Sequence, residues 1–276
     1  MMKISVCGKG GSGKSSITTL LANLARDRGY PVLVVDSDES NSGLYRMLGF
    51  DSPPTPLMDL VGGKKRVQRQ LKSPSPAAES EQPLNVLARH EISIGDIPYP
   101  HILRRDGISL VCIGKILQSL EGCACPMGVL SREFLKKLRL KDSEMTIVDM
   151  EAGVEHFGRG VDTSIDTVLT VVEPSLESIT LAERVNSLAA GSGVGNSSAV
   201  LNKVPSPEME SKLREDLGQR GITVIGAIPY DPELFEACLE GRPPGGGNTA
   251  EQIGEVLDSL LSRLGAGGQG KQNRLS

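Results

Sequence analysis

Between Gly8 and Ser15 the chain reads Gly-Lys-Gly-Gly-Ser-Gly-Lys-Ser. The glycines let the backbone curl until successive N–H groups converge on one point, a concavity suited to an anion. An apolar run, Lys3–Cys7, leads into this loop, and a helical pattern starts at Lys14. The loop therefore sits between a strand end and a helix N-terminus, whose positive dipole end also favours phosphate. A glycine, four residues, then Gly13-Lys14-Ser15 is the spacing of a P-loop in the context a P-loop needs. Gly8, Lys9, Gly10, Gly11, Ser12, Gly13, Lys14, Ser15 and Ser16 are thus the candidate nucleotide-binding residues. Lys14 is expected to reach the β- and γ-phosphates of a nucleoside triphosphate, and Ser15 Oγ to bind Mg²⁺ directly.

Two further strand ends supply carboxylates. Val34-Val35-Asp36-Ser37-Asp38 places two acids two residues apart. At the carboxyl end of a strand they point the same way, into the crevice where ligands of open α/β sheets bind. Asp36 is expected nearer the water shell of the magnesium ion. Ile147-Val148-Asp149-Met150-Glu151-Ala152-Gly153 reads as a Walker B strand with its switch. There Asp149 would hold a magnesium-bound water and the Gly153 N–H would sense the γ-phosphate. Glu151 is an alternative water-orienting group.

Cys123-Ala124-Cys125-Pro126 is a different chemistry. In an extended segment residues two apart project to one side, so both sulfurs can face one point. Two thiolates are half of a tetrahedral site. A twofold axis through the motif would supply the other half, because each residue on an axis meets its own copy. Soft thiolates suit Zn²⁺, Ni²⁺, Cu⁺ or a [4Fe–4S] cluster, and the residues alone do not choose among them. Cys7, Cys112 and Cys238 lie in apolar contexts and read as core residues.

Lys9 narrows the class. A second cation so close to Lys14 is repulsive unless each lysine meets its own phosphate oxygens. The Lys-Gly-Gly-x-Gly-Lys-Ser form resembles the deviant Walker A loop of the MinD/ParA/nitrogenase-iron-protein ATPases. That resemblance implies an ATP-dependent homodimer in which Lys9 reaches the partner's nucleotide. It implies catalytic roles for Lys9, Lys14 and Asp38, with Asp38 orienting the attacking water. It also implies base contacts from Asn202 and Lys203 at one strand end and from Pro229, Tyr230 and Asp231 at another. Glu39 stands where the class often has proline. Together with the cysteine pair and the run from Val148 to Ile179, the loop is similar to those of the CooC-type nickel-insertion ATPases, across most of the chain. This implies that Cys123 and Cys125 of two subunits bind one nickel (or zinc) ion. The client would be carbon monoxide dehydrogenase, acetyl-CoA synthase or another nickel enzyme. His156 would be a structural histidine near the switch or a transient nickel ligand. Two other readings use the same loop: an iron–sulfur electron-transfer ATPase resembling the nitrogenase iron protein, and a partitioning ATPase of the ParA/MinD kind. The first is disfavoured by the close cysteine spacing. The second is disfavoured because Thr249–Leu264 is too acidic for a membrane-binding helix.

The elements that must position these residues alternate. Candidate strands are Lys3–Cys7, Val32–Asp36, Ser109–Ile113, Met145–Asp149, Thr167–Val172, Ser198–Asn202 and Val224–Ile228; candidate helices are Lys14–Arg28, Leu176–Ala189, Pro207–Arg220 and Thr249–Leu264. This predicts an α/β fold, a mostly parallel twisted sheet with helices on both faces. Residues 1–264 are expected to form a single P-loop ATPase domain, with a mobile loop at about 62–83 and a disordered glycine-rich tail from 265 to 276. The basic cluster Lys64–Lys72 inside that loop is either an amphipathic helix with a solvated face or a nucleic-acid contact. Net charge is −4, which argues against a nucleic-acid partner. The start of the chain leaves no room for a signal peptide, and no apolar run reaches a membrane span, so a cytoplasmic protein with reduced thiols and no membrane partner is expected.

Overall fold

The computed structural model describes residues 1–40, 43–72, 85–115, 125–154, 164–245, 247 and 249–272. Eight strands form one sheet in the order β3-β4-β2-β5-β1-β6-β7-β8. They are β1 Met2–Gly8, β2 Val32–Asp36, β3 Ile102–Arg105, β4 Ile108–Cys112, β5 Met145–Asp149, β6 Thr167–Val172, β7 Asn196–Val204 and β8 Val224–Pro229. All pairings are parallel except β3 with β4. The α/β sheet expected from the sequence is therefore present, with all seven candidate strands in it.

The parallel strands are apolar along their length because helices cover both faces. On one face Ile4 and Val6 of β1 and Val32 and Val34 of β2 pack with Ile17, Leu20, Leu21 and Ala25 of α1 (Lys14–Asp27). The same layer receives Ile253, Val256, Leu257 and Leu260 from the last helix, α9 (Ala250–Gln272). On the other face Leu33, Val35 and Val148 pack with Met127, Leu130 and Phe134 of α5 (Cys125–Lys137) and Val185 of α6 (Leu176–Gly191). A third cluster joins α6 and α7 (Pro207–Gln219) to β7 through Ala182, Leu201, Leu213 and Leu217.

Several elements differ from expectation. β3 escaped the sequence reading, although Asp106-Gly107 is a strong hairpin signal. Both turn residues take positive φ, 46° and 83°, as a two-residue hairpin of this hand requires. Two short helices, α2 (Leu44–Met47) and α3 (Leu57–Leu60), and the helix α8 (Pro232–Glu240) were also unforeseen. Within 62–83 the basic cluster forms a helix, α4 (Lys64–Lys72), as one reading of those residues had it; residues 73–84, where the rest of the mobile loop was expected, lie outside the described residues. The tail expected to be disordered from 265 is helical as far as Gln272. A helix already anchored by a buried face is past its costly nucleation step, and each added residue brings a further hydrogen bond. Among the described residues no helix is long and apolar enough to cross a membrane.

Candidate nucleotide and magnesium site

The carboxyl ends of β1, β2, β5 and β7 open onto a cleft of about 470 Å³. It is lined by Gly10, Gly11, Gly13, Lys14, Ser15 and Ser16 of the loop, by Asp38, by Asn202 and Lys203, and by Pro229, Tyr230 and Asp231. The structure thus gathers most of the candidate nucleotide-binding residues around one cavity, of a size usual for small-molecule sites. Gly13 precedes α1 at φ +96°, and a Cβ there would lie 2.3 Å from Asn202 Nδ2. Both facts require glycine, which leaves the first amides of α1 without a side-chain cap.

Lys14 is buried, its Nζ 3.4 Å from the Lys9 carbonyl. Ser15 Oγ donates to Asp149 Oδ2 at 2.6 Å. Asp149 is fully buried, and burial pushes its pKa up to about 7, against the lowering effects of Ser15 and Lys14. Asp36 is also buried and its pKa is raised to about 6, burial outweighing the ammonium of Lys115. Lys115 Nζ lies 2.8 Å from each carboxylate oxygen of Asp36 and also donates to the carbonyl of Asp38. Asp38 accepts from the backbone N–H of Ser40 at 2.9 Å and from its hydroxyl at 2.7 Å. The donors near Ser15 are hydroxyl and carboxylate oxygens, the set a hard divalent cation takes. Ser12 Oγ, buried within the loop, has no hydrogen-bond partner among the described residues. The residues present fit magnesium and a phosphate.

The raised pKa of Asp149 has a measurable consequence for stability. Below about pH 4 the carboxyl is protonated folded or unfolded. Between pH 4 and about 7 the native state holds more protons, so stability falls with rising pH. With nucleotide and divalent cations removed, Asp149→Asn is expected to melt higher than wild type at pH 8, with the gap closing at pH 5. A gap independent of pH, read by thermal denaturation, would contradict the burial cost.

Other candidates are used differently from the sequence reading. Lys9 Nζ is engaged within its own chain, 2.9 Å from Glu177 and 3.3 Å from Glu173. These carboxylates raise its pKa, Glu177 most. Asn202 Nδ2 donates to the Ser12 carbonyl at 2.8 Å and so ties β7 to the loop. Lys203, in the left-handed region, donates to the Gly11 carbonyl. Asp231 caps α8 through the amides of Glu233 and Leu234. The Gly153 N–H, expected to sense phosphate, points at the Gly8 carbonyl, 3.4 Å away. Cys7 and Cys112 are core thiols held neutral, both pushed up to about 12 by burial. Cys238 is not in the core: it is half-buried, lines the cleft, and its Sγ is 3.1 Å from Ser16 Oγ.

Cys125 corrects the picture of an extended cysteine motif. It is the first residue of α5, with Pro126 in the first turn, where a missing N–H costs nothing. Cys123 and Ala124 lie outside the described residues, as does His156. Among the described residues no three His, Cys, Asp or Glu side chains are grouped as metal ligands. The sequence reading missed Lys115, Glu173, Glu177 and the apolar wall of Leu234, Phe235 and Leu239. A lysine two residues past a buried strand end was the available signal for Lys115.

This glycine loop at the switch point of a parallel sheet defines a P-loop nucleotide-binding protein. The chain belongs to the CobQ/CobB/MinD/ParA nucleotide binding domain family, whose model matches residues 4–244. It is 43% identical to an uncharacterized ATP-binding protein of Methanocaldococcus jannaschii, over 87% of this chain and 93% of that one. It is 30% identical to the carbon monoxide dehydrogenase accessory protein CooC of Rhodospirillum rubrum, over 96% of this chain and 98% of that protein. In fold it is similar to the septum site-determining protein MinD of Pyrococcus horikoshii, solved with Mg-ADP. The TM-score is 0.68 at 16% identity, covering 94% of this chain and 95% of that one.

Proposed function

We propose that this protein is an ATP-hydrolysing metallochaperone of the cytoplasm. It would dimerise on binding ATP and deliver nickel to carbon monoxide dehydrogenase, acetyl-CoA synthase or a related enzyme. The observation that carries the ATPase half is the Ser15–Asp149 contact at the foot of the glycine loop, with Lys14 buried beside it. The nickel half is supported by the cysteine pair and by the likeness to CooC along nearly the whole chain.

In this reading the loop amides and Lys14 hold the phosphates, and Ser15, Asp36 and Asp149 hold magnesium and its water shell. Magnesium, when bound, neutralises charge that develops on the β- and γ-phosphate oxygens. Asp38 orients the water that attacks the γ-phosphorus, and Ser40 fixes its carboxylate by two hydrogen bonds. Lys9 leaves Glu173 and Glu177 for the phosphates of the partner subunit's nucleotide. Asn202, Lys203 and the segment Pro229–Asp231 border the base. Cys123 and Cys125 of both subunits hold the nickel ion as cargo. Hydrolysis loosens the dimer and releases the metal.

Asp38→Asn tests the catalytic half. Nucleotide affinity is expected to stay within about threefold while kcat falls by about 100-fold or more, within the range of water-positioning and charge-stabilising groups in phosphoryl transfer. A variant with wild-type turnover would remove Asp38 from the reaction.

A further inference from the structure

The carboxylates of the phosphate site and the helix that begins at Cys125 are joined by two contacts. The first runs through Lys115. Its ammonium sits 2.8 Å from both oxygens of Asp36 and also bonds the carbonyl of Asp38, so it grips both ends of the Asp36-Ser37-Asp38 turn. The pair is largely buried, with 14% of the lysine side chain and 9% of the aspartate exposed. Gly114, the residue before Lys115, lies against the first turn of α5. A Cβ there would be 2.6 Å from Met127 Sδ and 3.2 Å from Met127 Cγ. Met127 is two residues beyond Cys125. The second contact is direct: Ser37 Oγ, in the middle of the same turn, is 3.0 Å from Ser131 Oγ on α5. Ser131 is buried.

These contacts constrain how the two regions move. A buried lysine gripping two points of a turn transmits displacement of that turn, because breaking the contact would leave a desolvated carboxylate without its counter-charge. A glycine in van der Waals contact with Met127 passes the displacement to the helix, since packed interiors have no slack to absorb it. Magnesium and nucleotide act on Asp36 and Asp38 at one end. Cys125, the first residue of α5, lies at the other.

We propose that Lys115 is a positioning residue that couples the Asp36–Asp38 turn to the helix Cys125–Lys137, so that nucleotide bound at the loop is felt at the cysteine-bearing end of that helix. The coupling to the helix stands on the contacts above; its use for metal release rests on the metallochaperone reading.

The test uses the full chain with Mg²⁺ and a non-hydrolysable ATP analogue, read by hydrogen–deuterium exchange. Wild type is expected to change its exchange over 127–137 when the analogue binds. Lys115→Met is expected to keep the analogue's protection of the glycine loop and lose at least half of the change over 127–137. Its kcat should fall about tenfold or more with KM within about threefold, and Lys115→Arg should recover both effects in large part. Ser131→Ala, which removes only a hydroxyl, should show a smaller loss of the same change and covers the case in which Lys115→Met does not fold. A wild-type helix that ignores the analogue would overturn the proposal, as would variants that respond as wild type does. A parallel Zn²⁺ titration separates the two readings. Zinc that fails to bind the wild type counts against the metal role, while the exchange data still decide the role of Lys115.

Discussion

Lys9→Ala is expected to bind Mg-ATP within about threefold of wild type while its hydrolysis falls by about 100-fold or more and its nucleotide-dependent dimer is lost. Lys9 occupies the second position of the loop, yet within one chain its ammonium turns away from the cleft and towards Glu173 and Glu177. A third of its side chain is exposed, so water screens these pairs and they are readily exchanged. A phosphate oxygen of a second subunit offers a shorter charge-assisted bond with greater charge. Lys14, buried and directed at its own loop, would serve the nucleotide of its own chain, which is why binding should survive. The same geometry sets the effect of removing the competing acids. Glu173→Gln/Glu177→Gln is expected to dimerise at lower nucleotide concentration than wild type, as measured by light scattering on a sizing column. Wild-type turnover and dimerisation in Lys9→Ala would remove the cross-subunit role.

The second large effect belongs to the cysteine pair. Cys123→Ser/Cys125→Ser is expected to lose nickel or zinc affinity by about three orders of magnitude or more, with ATP binding intact. Serine keeps the size and loses the soft, ionisable sulfur on which such a site depends. The core cysteines cannot substitute: Cys7 and Cys112 are buried and pushed up to about 12, so they stay neutral thiols at physiological pH. A titration of both proteins against a competing chelator checks this, and undiminished affinity in the double variant would end the metal claim for these residues.

What could be read from the sequence was local in the chain. The loop at Gly8–Ser15, the acids at the ends of β2 and β5, and the seven parallel strands are each specified by neighbouring residues. What escaped the reading is brought together by strand order. Lys115 meets Asp36 because β4 pairs with β2, with Cys112 opposite Asp36. Glu173 meets Lys9 because β6 lies beside β1, with Val171 opposite Gly8. No spacing rule links residues 79 or 164 positions apart. Other misses were local and avoidable. Asp231-Pro232 followed by Gly241 is a complete helix signature of cap, first-turn proline and left-handed terminator. Asp231 was instead assigned to the base. At Cys125 the helix begins one residue before Pro126, so the motif read as extended runs into a helical first turn that holds its proline.

The central claim is that ATP closes two chains around one metal ion held by both copies of Cys123 and Cys125. Anaerobic titration of the wild-type protein with Ni²⁺, with and without a non-hydrolysable ATP analogue and Mg²⁺, tests it most directly when mass and bound metal are measured together. One nickel per two chains is expected in a dimer that the analogue stabilises, with loss of that species in Cys123→Ser/Cys125→Ser. Nickel bound to a single chain regardless of nucleotide, or bound equally by the double variant, would contradict it.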